Sequence, residues 1–233
     1  MSGVCGIGFD LDHTLAIDNK LERVAFLRLL EVVLSEGGCT IGTFSDEIEA
    51  IDDLLARQRS GEWSIDDAVR RFVQAHRVEP THPHVQWYRR RAVEMVDEFV
   101  VPLPGVASTL KALRERGITV AILTNGWNPL QARKAERAAF QGPVLVSSEI
   151  GVQKPARRAF EMLLGALGTD AEHAWFVGDT PSSDVAGAQA AGVRAIWLNW
   201  ERQTYPAGMA PPDHSIADFS DLLELLPETA RTA

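Results

Sequence analysis

Apolar residues are arranged along this chain in two different ways. Residues 4–9 (VCGIGF) form a short apolar run that ends on Asp10. A run this short, rich in glycine, predicts a buried strand. From Asn19 to Val101 the apolar positions fall at helical spacing, as in Leu21, Val24, Ala25, Leu27, Leu29 and Leu30. Breaks near Gly37–Gly38, near Ser60–Gly61 and around Glu79–Pro83 divide that stretch into about four helices with almost no strand.

After Pro102–Gly105 the pattern alternates. A helix over 105–116 precedes ITVAILT (118–124), and a helix over 129–140 precedes VLVSS (144–148). A helix over 156–167 precedes AWFVGD (174–179), and a helix over 181–191 precedes VRAIWLN (193–199). A proline-rich loop (206–212) and a last helix near 217–226 follow. Strands alternating with helices predict an α/β fold, a Rossmann-like parallel sheet with helices on both faces. Residues 1–15 and 102–233 form the core, and residues 16–101 form an α-helical insertion.

Composition narrows the function. The chain has 233 residues, 32 Asp+Glu against 23 Lys+Arg, and a formal charge of −9. That acid excess argues against a nucleic-acid binder, which works by neutralising phosphates. It leaves room for a small anionic substrate held at a locally basic site. No window approaches about 18 uncharged apolar residues, so no membrane span is expected. The opening MSGVCGIGFDLD reaches an acidic pair too early for a signal peptide. Two cysteines, Cys5 and Cys39, cannot build a disulfide framework. The expectation is a cytoplasmic protein with both thiols free, each a small core residue.

Polar residues gather where the predicted strands end, the edge at which open α/β sheets bind ligands. Phe9-Asp10-Leu11-Asp12-His13-Thr14-Leu15 sets two carboxylates two residues apart, on one side of an extended chain. Leu123-Thr124-Asn125-Gly126 offers a hydroxyl and a turn with backbone N–H groups. Lys154-Pro155 precedes a helix, and Gly178-Asp179-Thr180-Pro181-Ser182-Ser183-Asp184 opens another. There Pro181 suits the first helical position and Thr180 the cap. Taken singly, each also fits ordinary structure: an Asx turn, a strand-end turn, a solvated lysine, acids facing a helix dipole.

Together, and in this order, FDLDHTL, TNG, KP and GDTPSSD resemble the haloacid dehalogenase-like hydrolase superfamily across essentially the whole chain. SSEIGVQKP (147–155) is similar to its phosphatase-type members, and the helical stretch resembles its first-type cap. The resemblance implies hydrolysis of a small phosphorylated metabolite. It makes Asp10 the nucleophile that forms an aspartyl-phosphate, and Asp12 the acid and base. Thr124, Asn125 and Gly126 would hold phosphoryl oxygens, and Lys154 would neutralise charge. Mg²⁺ would take Asp10, the Asp12 carbonyl and Asp179, with Asp184 in support. Family dehalogenases lack an acid at position 12, which favours the phosphatase. A phosphonoacetaldehyde hydrolase would use a cap lysine, and Lys20, at the very start, is the insertion's only lysine. A phosphomutase or a non-catalytic phosphate sensor remain the alternatives. His13 departs from the family's usual glycine, and Trp127 is placed to wall the leaving-group pocket.

Other candidates read as structural. His76, His82 and His84 are expected to be solvated loop histidines, Arg89–Arg91 a solvated helix face, and Trp63 and Trp87 packing residues.

Overall fold

The computed structural model describes residues 4–226. β1 (Gly6–Phe9) is fully buried and delivers Asp10 to its C-terminal end. The chain then makes a short β2 (Ala16–Ile17) and enters the insertion. There α1 (Leu21–Ser35), α2 (Phe44–Arg59), α3 (Ile65–Ala75), α4 (His82–Glu94) and the one-turn α5 (Val96–Phe99) follow one another. The chain leaves through β3 (Val101–Pro102), which pairs antiparallel with β2, Ala16 opposite Pro102.

The remainder alternates: α6 (Val106–Glu115), β4 (Thr119–Thr124), α7 (Leu130–Arg137), β5 (Val144–Val146), α8 (Ser147–Ile150), α9 (Arg157–Leu167) and β6 (Ala174–Gly178). α10 (Ala186–Ala190), β7 (Arg194–Leu198), β8 (His214–Ile216) and α11 (Leu222–Leu225) complete it. Six parallel strands run in the order β5-β4-β1-β6-β7-β8. The chain builds outward on one side of β1 and then crosses to the other. The sheet's switch point therefore lies where β1, β4 and β6 end side by side.

Both sheet faces are covered. On one, Phe160 and Leu163 of α9 and Ala188 of α10 pack with Leu123, Phe176 and Trp197. Gly8 lets α9 approach, because a Cβ there would lie 2.4 Å from Leu163 Cδ2. On the other, the Phe9 ring lies 5.6 Å from that of Phe219, and Val106, Leu110 and Leu113 of α6 are buried.

The chain divides into two compact units, the insertion Asp18–Val100 and the remainder around the sheet. In the insertion, Phe26, Phe72 and Tyr88 are buried together, with ring separations of 5.1 Å (Phe26–Phe72) and 4.4 Å (Phe26–Tyr88). Two of its helix starts are written locally. Thr43 with Asp46 and Ser64 with Asp67 form reciprocal capping boxes. Among the described residues, no helix is long and apolar enough to cross a membrane.

Several local expectations need correction. Ser147 and Ser148 extend no strand; β5 stops at Val146 and they begin α8. The segment after β6 starts with a wide π-type turn (Pro181–Val185) before α10. β8 lies outside the apolar runs of the sequence, and of its three residues only Ile216 is buried. Cys5, just before β1, is exposed and Cys39 is half-buried, so neither is a core residue. His76 and His84 are buried, not solvated. His76 lies 2.8 Å from Glu47 and 2.7 Å from the Phe72 carbonyl, and His84 lies 2.8 Å from Glu36. His82 is the exposed one. Arg89 reaches across to Asp66 of α3 at 2.8 Å. Trp63 carries the Arg57 and Arg71 guanidiniums over its ring, at 4.9 and 4.2 Å.

Candidate active site

Four loops meet at the switch point. Asp10 leaves β1 almost fully buried, with its N–H on the Val177 carbonyl at 2.9 Å. Asp179 follows β6, and Asp184 sits in the wide turn. One carboxylate oxygen from each of Asp10, Asp179 and Asp184 lies within 4.8 Å of the others. The close packing depends on Gly178, where an added Cβ would fall 2.4 Å from the Asp184 carboxylate. Asp184 also accepts the Thr180 N–H at 3.0 Å and the Ser183 hydroxyl at 3.1 Å. Thr180 makes no cap hydrogen bond through its side chain, which instead donates to Asp179 at 3.3 Å.

Lys154 enters this cluster from the loop before α9. Its side chain is 2 % exposed, and its Nζ lies 2.6 Å from Asp10 and 2.8 Å from Asp184. The Phe176 ring supports the ammonium from 5.4 Å. Asn125 fixes the loop by a double hydrogen bond, its amide donating to the Lys154 carbonyl at 3.0 Å and its oxygen accepting the Lys154 N–H at 2.9 Å. The Asn125 side chain thus orients Lys154, a role beyond the backbone contact expected of it. The Gly126 N–H donates to Ser147 Oγ at 3.0 Å. It is therefore engaged within the protein, and the free turn N–H expected at that position is not found.

Three acids face one lysine, and burial sharpens the imbalance. Burial pushes the Asp10 carboxyl up to about 8; Lys154 opposes this, while Asp184 and Asp179 add to it. Burial, reinforced by Asp184 and opposed by Lys154, pushes Asp179 up to about 7. Burial alone would lower Lys154, but the charges of Asp10 and Asp184 outweigh it and hold the ammonium above the ordinary lysine value. Desolvated like charges disfavour ionisation until positive charge is added. An all-oxygen set short of positive charge suits a hard divalent cation such as Mg²⁺.

Asp12 points elsewhere. Its Oδ1 lies 2.8 Å from Lys134 Nζ and its Oδ2 accepts from Gln131 Nε2 at 2.9 Å. Lys134 and Gln131, both on α7, are 1 % and 3 % exposed. Gln131 also donates to Thr124 Oγ1 and to the Asn125 carbonyl, each at 3.1 Å. Neither α7 residue was singled out in the sequence. Their spacing of three within LQARKAER is a helical signal, but it reads as a solvated face. Trp127, also near this end of the sheet, is 2 % exposed. The His13 backbone is left-handed (φ 59°), its carbonyl accepts the Trp200 indole N–H at 2.9 Å, and its ring lies 6.2 Å from that indole.

Comparison with known proteins places this site in context. Residues 6–192 match the model of the haloacid dehalogenase-like hydrolase family. A phosphoserine phosphatase of Thermus thermophilus is 39 % identical over 142 residues, covering 57 % of this chain and 56 % of that protein. A glyceraldehyde 3-phosphate phosphatase of Methanopyrus kandleri is 32 % identical over 234 residues, covering 96 % and 97 %. The chain thus spans little more than half the length of the Thermus relative and nearly all of the Methanopyrus one. Among solved structures, a 2-haloacid dehalogenase from Pseudomonas syringae superposes with a TM-score of 0.70 at 28 % identity, covering 95 % and 97 %. A phosphatase from Thermococcus onnurineus shares the fold, with a TM-score of 0.69 at 21 % identity over 95 % and 97 %.

Proposed function

Because the chain belongs to the haloacid dehalogenase-like hydrolase family, we propose that it is a Mg²⁺-dependent phosphomonoester hydrolase acting on a small phosphorylated metabolite. The carrying observation is the buried cluster of Asp10, Asp179 and Asp184 with Lys154 bridging Asp10 and Asp184. Phosphatase names among the curated relatives support the same reading. In it, residues 1–15 and 102–233 are the catalytic core. Residues 16–101 act as the cap that selects the leaving group.

Phosphate monoesters hydrolyse so slowly unaided that accelerations reach about 10²¹-fold. One acid supplies only about 10²–10⁴-fold. Several effects must therefore act together. An Asp10 oxygen attacks phosphorus, the bond to the ester oxygen breaks, and an aspartyl-phosphate forms on Asp10. Asp12 gives its proton to the departing oxygen. It then takes a proton from the water that cleaves the aspartyl-phosphate and releases inorganic phosphate. Thr124 and Asn125 line the phosphoryl site, Gly126 shapes the turn that presents them, and Lys154 offsets charge on nucleophile and phosphate. Asp10, the Asp12 carbonyl, Asp179 and Asp184 would hold Mg²⁺, which when bound supplies positive charge at the nucleophile and the phosphoryl oxygens.

Asp12 also separates this reading from a dehalogenase, since a departing halide needs no proton. The test is turnover of p-nitrophenyl phosphate and a panel of sugar phosphates, nucleotides and phospho-acids, with Mg²⁺ or with EDTA. We expect Mg²⁺-dependent phosphate release that Asp10→Asn abolishes. A folded, metal-loaded protein inactive on the whole panel would sink the proposal, and transfer of phosphate between sugar positions without release would mark a phosphomutase.

A further inference from the structure

We propose that Gln131 and Lys134 form a buried clamp that fixes the orientation of the Asp12 carboxylate for proton exchange with the leaving group. The inference deepens the phosphatase reading above and rests on it.

The geometry is two-point. Lys134 Nζ holds one carboxylate oxygen at 2.8 Å and Gln131 Nε2 holds the other at 2.9 Å. Gripping both oxygens from separate side chains on one helix fixes the plane of the carboxylate as well as its position. An ionised carboxylate has about four lone-pair sites. The clamp engages one site on each oxygen. The Asp12 side chain keeps 29 % of its surface accessible, whereas Lys134 keeps 1 %. The clamp is therefore inside the protein and its cargo at the surface of the site.

Gln131 is held in one orientation by what surrounds it. Its amide nitrogen faces Asp12 Oδ2, Thr124 Oγ1 and the Asn125 carbonyl oxygen. Turning the amide over would set its oxygen against a carboxylate and a carbonyl, neither of which can donate there. The present orientation leaves Gln131 Oε1 buried with no hydrogen-bond partner. A buried amide oxygen without a donor opposes folding, and an apolar side chain of similar length would avoid that cost. Gln131 is thus a poor choice for stability alone and a good one for its donors. The same amide ties Asp12 to Thr124 and Asn125. The proton-transfer group and the phosphoryl-binding turn are so positioned by one residue. Misplacing a reacting group by about 1 Å can cost about 10²-fold in rate.

A positioning role has a signature that a structural role lacks. Protonating the departing oxygen matters greatly for an alkyl phosphate and little for p-nitrophenyl phosphate, whose leaving group departs readily as an anion. The experiment compares kcat/KM on p-nitrophenyl phosphate and on an alkyl phosphate monoester that the wild type hydrolyses, with Mg²⁺ present. The variants are Gln131→Met, Lys134→Met and Lys134→Arg, each also made with Asp12→Asn. We expect the Met variants to lose roughly tenfold more on the alkyl ester than on the aryl ester. Lys134→Arg should recover part of that difference, and Gln131→Met should melt no lower than wild type. With Asp12→Asn, neither Met substitution should add a further loss. Equal losses on both esters, or additive losses in the Asp12→Asn protein, overturn the clamp while leaving the phosphatase reading intact. A wild type that turns over neither ester overturns that reading, and the clamp with it.

Discussion

Both units bury titratable side chains, and they treat them in opposite ways. In the helical insertion the most deeply buried acid meets a matched partner. Glu47, 2 % exposed, faces His76 at 2.8 Å and accepts the Ile41 N–H at 2.9 Å. At the end of the sheet, three carboxylates crowd one ammonium, and two of them are driven up to about 8 and about 7. Balanced burial serves the fold. Unbalanced burial stores a demand for positive charge that a ligand can meet.

The comparison can be broken from either side. The largest expected effect is on activity at the unbalanced site. Asp10→Asn should reduce turnover by roughly 10⁴-fold or more. It removes a carboxyl whose ionised form burial disfavours, so thermal melting of the metal-free variant should match or exceed wild type. A melting temperature several degrees lower would mean that Asp10 is structural. At the balanced site the effects reverse. Glu47→Ala leaves the buried His76 Nε2 without its hydrogen-bond partner and should cost about 2 kcal/mol of stability, read by denaturant unfolding. A change under about 1 kcal/mol would erase the contrast.

A third test uses pH. Asp10 and Asp179 are raised above the ordinary carboxylate value, so the native state holds protons that the unfolded chain has released. Their contribution to stability is full below about pH 4 and is lost as pH rises through about 7 to 8. A cation must displace those protons at lower pH. The melting temperature gained on adding Mg²⁺ should therefore grow by a few degrees between pH 6 and 8.5. A gain independent of pH would refute the linkage. The smallest effect belongs to the exposed charges of the insertion. Arg28 and Glu31, 51 % and 66 % exposed, form an i,i+3 pair. Losing it by Arg28→Ala should cost under about 0.5 kcal/mol, a null result in the same unfolding assay.

The alternation of strand and helix was legible because parallel strands buried on both faces read as short apolar runs. The chemistry was legible where it stood at the ends of those runs. Asp10, Thr124 and Asp179 are each marked by the abrupt polar stop after a buried stretch. What stayed hidden depends on contacts distant in sequence. Lys134 meets Asp12 only because β1 and β4 are neighbours, and within its own helix it looks solvated. The histidines misled because Glu79-Pro80-Thr81-His82-Pro83 has the composition of a loop. Yet α4 begins at His82 with Pro83 in its first turn, which puts His84 inside the helix. His76 closes α3 and turns back onto Glu47.

The two-residue ribbon of β2 and β3 has a consequence for how the chain assembles. Gly6 must find Thr119 to pair β1 with β4, which in an extended chain means closing a loop of more than a hundred residues. Once the insertion has folded and Ala16 lies opposite Pro102, the path between those partners shortens to about thirty residues. That is roughly two halvings of loop length, worth about 1.2 kcal/mol of closure entropy at about 0.6 kcal/mol each. The order of events then matters to rate: helices that nucleate locally become a splice that hands the slow, long-range step of sheet formation a much shorter chain.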